Sequence, residues 1–376
     1  MKKTVIIIYI ILIIVTLYAC ELPNTEIQKT SEDSKENNTE EISKKEQNNS
    51  EQEDQSYSSN ESVDSSTNLY SEQIEKENKF IYSPFTGKLI NSKIFNRVVM
   101  ASIENSSRAR PQAGLDRASI VYEFMVEGGI TRFLALYWED IPDKIGPIRS
   151  VRSYMIEIAE KYNALLLHSG ASPDGFSLLN RVDQVVNLDQ IYNGKYYWRS
   201  SDKKSPHNLY TRSNIKDYLE KLTGQGYKSR FNFNKFSFIS SGREADEIII
   251  DYWGKYNVLY RYDLDNNNYK RFIYDFDNPH LNEKGKQITC NNIIVQRVKT
   301  RVKDDAGRLT VVLEGEGEAI IFKNGNIIKG TWKSNKNKWT YYYNKDGERV
   351  TLNPGSTWIQ VVPNSTDVQY ISGQDN

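Results

Sequence analysis

Nine short apolar segments follow one another between residues 247 and 362, and they constrain the fold more than any other feature of the sequence. They span residues 247–252, 257–262, 269–274, 292–298, 309–313, 318–322, 326–332, 339–343 and 357–362. Asn324-Gly325 and Asp346-Gly347 between them are typical of tight hairpin turns. We therefore expect a mostly antiparallel β domain over residues 231–365, curled or barrel-like, followed by a tail over residues 366–376. Its many tyrosines and tryptophans belong either to the core or to a sugar-binding face.

The region between residues 80 and 230 has a different pattern, in which buried strands are separated by loops and helix signals. Residues 97–104, 119–124, 131–138 and 163–168 have the composition of strands. Ser150 is placed to cap a helix that runs to about residue 161, and further helices are expected near Gly175 and over residues 213–222. We therefore predict an N-terminal α/β domain with a mixed sheet, and an α+β fold of two domains for the chain as a whole.

Arginines and glutamates are concentrated between residues 108 and 152. Arginine suits the recognition of carboxylate and phosphate because its planar guanidinium donates two parallel hydrogen bonds. A helix that starts near Ser150 would add free backbone N–H groups, which favour anions. The alternative is that the arginines pair internally with Glu123, Glu127 or Glu139 as structural ion pairs. The candidate ligand-binding residues in this stretch are Arg108, Arg110, Glu123, Glu127, Arg132, Arg149 and Arg152.

Two of the three histidines also lie in concentrated polar pieces. His168 ends an apolar strand and precedes Ser169, and a polar group at the end of a buried strand is where open α/β sheets contact ligands. His207 and Asn208 lie in a polar loop, so all four join the candidate ligand-binding residues. No histidine, cysteine or aspartate spacing matches a metal site, and no nucleophile or phosphate-loop motif is present. We expect no metal and no cofactor, and no residue is assigned a catalytic role.

The first twenty residues predict export and lipidation. Two lysines precede an apolar run over residues 5–17, which is short for a membrane span and typical of a secretory signal. Leu17-Tyr-Ala-Cys20 resembles a lipobox, whose cysteine receives the diacyl anchor that stable membrane attachment requires, palmitate being a typical chain. An uncleaved membrane anchor is the alternative. Either arrangement places the protein on the outer face of the cytoplasmic membrane.

Residues 21–79 contain sixteen Asp and Glu against six Lys and Arg, and they almost lack apolar residues. Such a segment does not bury enough surface to offset its conformational entropy, so we expect a disordered acidic tether. The remainder of the chain after this segment carries an excess of positive charge. That excess suits anionic partners such as wall polymers, phospholipid head groups or nucleic acid, of which nucleic acid is not expected here. The alternative is an ordinary solvated surface.

Several motifs of this chain can be compared with known families; they span residues 83–87, 108–115, 120–137, 144–154, 168–172, 205–210, 278–280, 292–296, 330–332 and 352–363. Together they resemble the YerB-like lipoprotein family of Gram-positive bacteria. The most distinctive piece is Lys144-Ile-Gly-Pro-Ile-Arg-Ser-Val-Arg-Ser-Tyr154. The resemblance implies an anchored, secreted protein with N- and C-terminal domains of unknown function. It supplies no catalytic residues.

Three functions are compatible with these features. The leading hypothesis is a non-enzymatic lipoprotein that binds an anionic envelope group, such as a peptidoglycan stem carboxylate or a polymer phosphate, in an arginine-rich cleft. The second is a cell-wall-active hydrolase or transferase that uses His168 or His207 as acid–base with Glu123 or Glu127 as partner. The third is a membrane-associated scaffold that binds other envelope proteins through its β domain.

Overall fold

The computed structural model describes residues 80–91, 95–224, 227, 231–234, 244–252, 256–336 and 338–372. These residues all belong to one compact unit, Asp64–Asn376. The predicted signal peptide, Cys20, the predicted tether and the last four residues of the predicted tail lie outside the described residues. Among the described residues, no helix is both long enough and apolar enough to cross a membrane.

Strands dominate the described residues. The first ten strands are β1 (Ile81–Tyr82), β2 (Leu89–Ile90), β3 (Val99–Glu104), β4 (Ile120–Met125), β5 (Thr131–Tyr137), β6 (Leu165–His168), β7 (Val186–Asp189), β8 (Tyr197–Arg199), β9 (Leu209–Thr211) and β10 (Asn232–Phe233). The others are β11 (Glu247–Ile250), β12 (Val258–Asp263), β13 (Asn268–Ile273), β14 (Asp275–Pro279), β15 (Thr289–Cys290), β16 (Asn292–Val298), β17 (Thr300–Val302), β18 (Leu309–Val311), β19 (Gly315–Lys323), β20 (Asn326–Ser334), β21 (Tyr341–Asn344), β22 (Thr351–Leu352), β23 (Thr357–Pro363) and β24 (Val368–Ile371).

The helices are short. The α-helices within the described residues are α1 (Ser153–Lys161), α2 (Pro173–Leu179) and α3 (Ile215–Glu220). Single 3₁₀ turns span Ser107–Ala109, Leu115–Arg117, Glu127–Gly129 and Gly194–Tyr196. α1 buries Tyr154, Ile158 and Ala159 among other apolar residues.

A ten-stranded sheet organises the molecule, with the strand order β21-β20-β19-β16-β23-β4-β5-β3-β6-β7. β23 lies in its middle and runs parallel to both β16 and β4. β3, β6 and β7 are parallel to one another, whereas β5 is antiparallel to β3 and β4. A second sheet has the order β14-β13-β12-β11-β24, and β15 pairs with β13.

Both faces of the ten-stranded sheet are buried, but against different partners. One core joins Val121 and Phe133 of the large sheet to Ile248 and Tyr260 of the second sheet. The other core, which includes Leu134, packs under α1. Alternation along each strand sends successive side chains into opposite cores.

The predicted α+β fold with an N-terminal α/β domain is wrong. Strands account for 43% of the described residues and helices for 13%, so the structure is mostly β. An α/β domain covers both faces of its sheet with helices. Here the second sheet covers one face, and the helix expected over residues 213–222 is only Ile215–Glu220.

The ten-stranded sheet also takes strands from both sides of residue 230, where we predicted a domain boundary. β4 pairs with β23 through five residue pairs, from Ile120 with Thr357 to Phe124 with Val361. The two sequence regions therefore share one sheet and one set of cores. The boundary itself stays a prediction.

Candidate functional site

Polar side chains gather where β3 ends and β5 begins. Glu104, the last residue of β3, pairs with Arg132 in the antiparallel ladder between these strands. Cross-strand partners share a face of the sheet, so both side chains lie on the α1 face. Glu123 and Thr131 lie on the opposite face, which packs against the second sheet. The polar residues at this end of the sheet therefore form two groups, separated by the sheet itself.

The group on the α1 face is called the arginine cluster here, and it consists of Glu104, Glu127, Arg132, Arg149, Ser150, Arg152 and His207. Ser150 is at its centre. Arg132 donates from Nη1 to the backbone oxygen of Ser150 at 2.6 Å and to its Oγ at 3.3 Å. Arg152 donates to the same Oγ at 3.0 Å. Two guanidiniums thus converge on one serine.

Glu127 and Glu104 supply the negative charge of the cluster. Arg152 donates from Nε and Nη2 to the two carboxylate oxygens of Glu127, at 2.6 and 2.7 Å. Burial raises the pKa of Glu127, but Arg152 outweighs burial and holds that pKa below its ordinary value. Glu104 lies between Arg149, whose Nε is 3.1 Å from Oε2, and His207, whose Nδ1 is 2.8 Å from Oε1.

Arg132 is the arginine of the cluster that has no carboxylate partner among the described residues. Arg132 is 9% exposed, and its Nε is buried and makes no hydrogen bond. Burial, and after it the neighbouring charge of Arg152, lowers the pKa of Arg132 to about 10. The side chain is still a cation at neutral pH. Three arginines are therefore balanced by two carboxylates, which leaves one positive charge in excess.

The backbone of residues 146–149 fixes Arg149 against the end of β3. Glu104 donates its backbone N–H to Pro147, and Arg149 donates its own to Ser102, both at 2.9 Å. Gly146 has a φ of +146°, and a Cβ there would lie 2.7 Å from the carbonyl oxygen of Leu209. Only glycine fits this close approach.

Ser150 does not cap α1, contrary to the sequence prediction. The helix begins at Ser153, its N-cap is Arg152, and no side chain caps it. Ser150 is used instead as the acceptor for Arg132 and Arg152, because its extended segment carries it back over the end of the sheet. The arginines lie beside the start of the helix, as expected, but they are held by side-chain and carbonyl oxygens.

The group on the opposite face is called the buried network here, and it consists of Asn105, Arg110, Gln112, Glu123, Thr131, Arg271 and His280. Arg271 donates from Nη2 to Glu123 at 2.8 Å, with side chains 1% and 0% exposed. Thr131 donates to the other oxygen of Glu123 at 2.7 Å. Because Arg271 belongs to β13, this ion pair joins the two sheets through the interior.

His280 extends the buried network and is neutral. A guanidinium only donates hydrogen bonds, so the contact from Arg271 Nη1 requires Nδ1 of His280 to accept. Nε2 then carries the proton and donates to Gln112 at 2.8 Å. Burial holds the pKa of His280 well below its ordinary value, and the charges of Arg271 and Arg110 lower it further.

The sequence-predicted site residues are thus divided. Glu127, Arg132, Arg149, Arg152 and His207 come together in the arginine cluster. Glu123 and Arg110 belong to the buried network, where Arg110 donates to Asn105 and to Tyr274. Arg108 is exposed and contacts no described residue by hydrogen bond or ion pair.

The other predicted site residues, His168, Ser169 and Asn208, lie beside the arginine cluster. His168 is 0% exposed, and its two ring nitrogens contact the carbonyl of Gly170 and the side chain of Asn187. Ser169 donates its backbone N–H to Arg149 at 3.1 Å. Asn208 bonds Ser200 and Arg199. Among the described residues, neither His168 nor His207 bonds Glu123 or Glu127, the partners expected for acid–base chemistry.

Sequence reasoning missed Glu104, Arg271 and His280. Glu104 is the last residue of a predicted strand. A charged residue directly after a run of apolar residues could have indicated a functional side chain at the end of that strand. Arg271 lies in β13 of the second sheet and His280 directly follows β14. Both are about 150 residues from Glu123 along the chain, and local sequence patterns carry no information on contacts between such distant residues. The Asn278-Pro-His280 motif indicated this region of the chain, but it did not show that His280 contacts Arg271.

Surface depressions and metal-binding groups of side chains are the other features that could hold a ligand away from the arginine cluster. Four surface depressions are lined mainly by residues of β19, β20, β21 and α1, with others from β16, β24 and α2, and none of the four includes a residue of the arginine cluster. In the part of the chain that is described, no group of three or more His, Cys, Asp and Glu side chains is arranged to hold a metal ion.

Comparisons with known proteins agree with one another. The family model described as "Protein of unknown function (DUF3048) N-terminal domain" matches residues 85–228, and the model for the DUF3048 C-terminal domain matches residues 248–359. "Putative lipoprotein YerB" of Bacillus subtilis (strain 168) is 33% identical over 311 residues, which are 79% of this chain and 90% of that protein. The crystal structure of YerB from Bacillus subtilis matches with a TM-score of 0.67 and 29% identity, over 77% of this chain and 99% of the other. The chain therefore belongs to the DUF3048 family of YerB-like proteins.

Proposed function

We propose that this protein is a lipid-anchored extracytoplasmic lipoprotein whose arginine cluster binds an anionic group of the cell envelope. The anchor is supported by the lipobox-like Leu17-Tyr-Ala-Cys20 and by the name of the Bacillus subtilis relative. Peptidoglycan and the anionic wall polymers are the ligands within reach of a protein on the outer face of the membrane.

The excess charge of the arginine cluster is the observation that supports binding. Arg152 is neutralised by both oxygens of Glu127. Arg149 lies against Glu104, with Nε 3.1 Å from Oε2, and its side chain is 29% exposed, so part of this cation is accessible from solvent. Burying a cation without a counter-charge costs several kcal/mol. An anion bound between Arg132 and Arg149 offsets that cost.

Sedimentation with purified cell walls tests this function. The mature chain, residues 20–376 with Cys20→Ser, is mixed with insoluble peptidoglycan prepared with and without its attached polymers. Arg149→Gln removes one charge-assisted hydrogen-bonding group, a loss of about 1.5–3 kcal/mol or roughly 10- to 150-fold in affinity.

Arg117→Gln is the matched control. Arg117 pairs with Asp140 at the other end of β5 and is about half exposed, so the variant makes the same change in net charge outside the cluster. We expect it to sediment like the wild type. If Arg149→Gln is folded and sediments with the walls as fully as the control, the arginine cluster is not the binding site.

A further inference from the structure

The unpaired edge of Arg132 indicates which kind of anion the cluster takes. Nη1 of Arg132 is committed to Ser150. Nε and Nη2 make no hydrogen bond to any described residue, and Nε is buried. These two nitrogens form one edge of the planar guanidinium and direct their N–H bonds in parallel. That edge matches a group with two terminal oxygens.

Arg152 provides an internal comparison at the same place. It also donates from Nη1 to Ser150, and its Nε and Nη2 edge holds the carboxylate of Glu127 through two bonds of 2.6 and 2.7 Å. Arg132 and Arg152 thus share Ser150 as an acceptor for Nη1, and each has its Nε and Nη2 edge left for another partner. One edge is filled by a carboxylate of the chain, and the other has no partner among the described residues.

Glu104 does not provide the missing carboxylate, although it is the cross-strand partner of Arg132. Its carboxylate is engaged by His207 and Ser106 through Oε1 and lies against Arg149 through Oε2. The three guanidiniums and two carboxylates of the cluster therefore leave a deficit of one negative charge. A singly charged ligand group balances it, whereas a phosphomonoester brings close to two charges.

We propose that the Nε and Nη2 edge of Arg132 binds a carboxylate of the envelope ligand, as a peptide of the cell wall presents it. This inference rests on the proposed function and assigns the chemistry of that same site. A carboxylate is planar and has a single substituent, so it enters a buried edge more readily than a phosphodiester, whose two ester groups diverge from a tetrahedral phosphorus.

Competition at constant ionic strength tests the proposal on the unmodified mature chain bound to cell walls. The competitors are N-acetylglycine as the carboxylate, dimethyl phosphate as the phosphodiester and methyl phosphate as the phosphomonoester. We expect N-acetylglycine to release the protein at a concentration at least about tenfold lower than either phosphate requires, one factor of ten being 1.4 kcal/mol. NMR of the arginine Nε–H groups should show the Arg132 resonance shift with the same competitor.

Arg132→Lys keeps the charge and removes the two-donor edge. We expect it to lose the preference for N-acetylglycine, whereas Arg117→Lys retains that preference. A wild type that is released equally well by dimethyl phosphate, an Arg132 resonance that does not move, or competitors that all fail would each overturn the carboxylate assignment while cell-wall binding stands. Absence of cell-wall binding by the wild type would instead refute the proposed function.

Discussion

At the scale of the residue, Arg271 and Glu123 form an ion pair that is almost entirely removed from water, with side chains 1% and 0% exposed. Removing one partner of a buried pair leaves the other charge without compensation, which costs about 3–5 kcal/mol. We predict that Arg271→Met lowers the free energy of unfolding by that amount, measured by urea denaturation.

The exposed pair between Arg117 and Asp140 gives the control for this substitution, because its side chains are 47% and 49% exposed. Such a pair contributes less than about 1 kcal/mol. Arg117→Met should therefore change the unfolding free energy little. Equal losses in the two variants would show that Glu123 is not left unpaired by the change at Arg271.

His280 makes stability depend on pH through its lowered pKa. The folded state keeps His280 neutral, while the unfolded state takes up a proton below a pKa of about 6.5. The unfolded state binds more protons there, so stability is lost as the pH falls below about 6.5, by up to about 1.4 kcal/mol per pH unit. Other groups add their own pH dependence, so a variant is needed to isolate this contribution.

The variant His280→Gln isolates the contribution of His280 to the pH dependence of stability. Glutamine keeps an acceptor for Arg271 and a donor for Gln112 but does not titrate. Between pH 7.5 and pH 5 we predict that the wild type loses about 2 kcal/mol more unfolding free energy than His280→Gln. Parallel losses in the two proteins over this range would contradict a neutral, buried His280.

The residue scale also shows what the sequence can predict about the site. Clustering of arginines between residues 108 and 152 predicted a site in this region. Arg132, Arg149 and Arg152 do lie together, because short loops at one end of a sheet bring them together, and their role in binding stays a prediction. The sequence did not separate Arg110 and Glu123 from the cluster. Which face of the sheet a side chain takes depends on the register of β3, β4 and β5, and the register depends on partners elsewhere in the chain.

At the scale of the element, local sequence patterns identify strands well, but they do not show which strands pair with one another. Each of the nine segments predicted between residues 247 and 362 overlaps an observed strand. Residues 357–362 form most of β23, but nothing in their sequence shows that β23 lies between β16 and β4. Pairing between distant strands is decided by the packing of whole faces. A mixed sheet was predicted for the N-terminal region, but its extension into the C-terminal region was not.

Gly330 illustrates an element-scale constraint on the edge of the large sheet. A Cβ at this position in β20 would overlap the carbonyl oxygen of Tyr343 in the edge strand β21. Because backbone must shift to admit it, we predict that Gly330→Ala lowers the free energy of unfolding by about 1–3 kcal/mol. Gly194→Ala is the control, since a Cβ there meets nothing within 4 Å. Equal thermal unfolding of the two variants would contradict the close approach of β20 and β21.

At the scale of the whole molecule, the shared sheet brings the two family regions into one body. The DUF3048 N-terminal match supplies β3, β4, β5, β6 and β7, and the C-terminal match supplies most of the strands on the other side of β23. The buried network joins this sheet to the second sheet through Arg271 and Glu123. The arginine cluster therefore lies on a rigid frame to which both regions contribute, as a preorganised binding site requires.

The affinity of the mature chain for solubilised peptidoglycan fragments, measured by titration calorimetry, tests the role of the arginine cluster most directly. The proteins to compare are the wild type, the double variant Arg132→Gln/Arg149→Gln and the control Arg117→Gln. We predict that the double variant, folded as judged by its thermal unfolding, binds at least about 100-fold more weakly than the other two, since each of its two lost charge-assisted hydrogen bonds costs about 1.5–3 kcal/mol. A folded double variant that binds the fragments as tightly as the wild type would contradict the account.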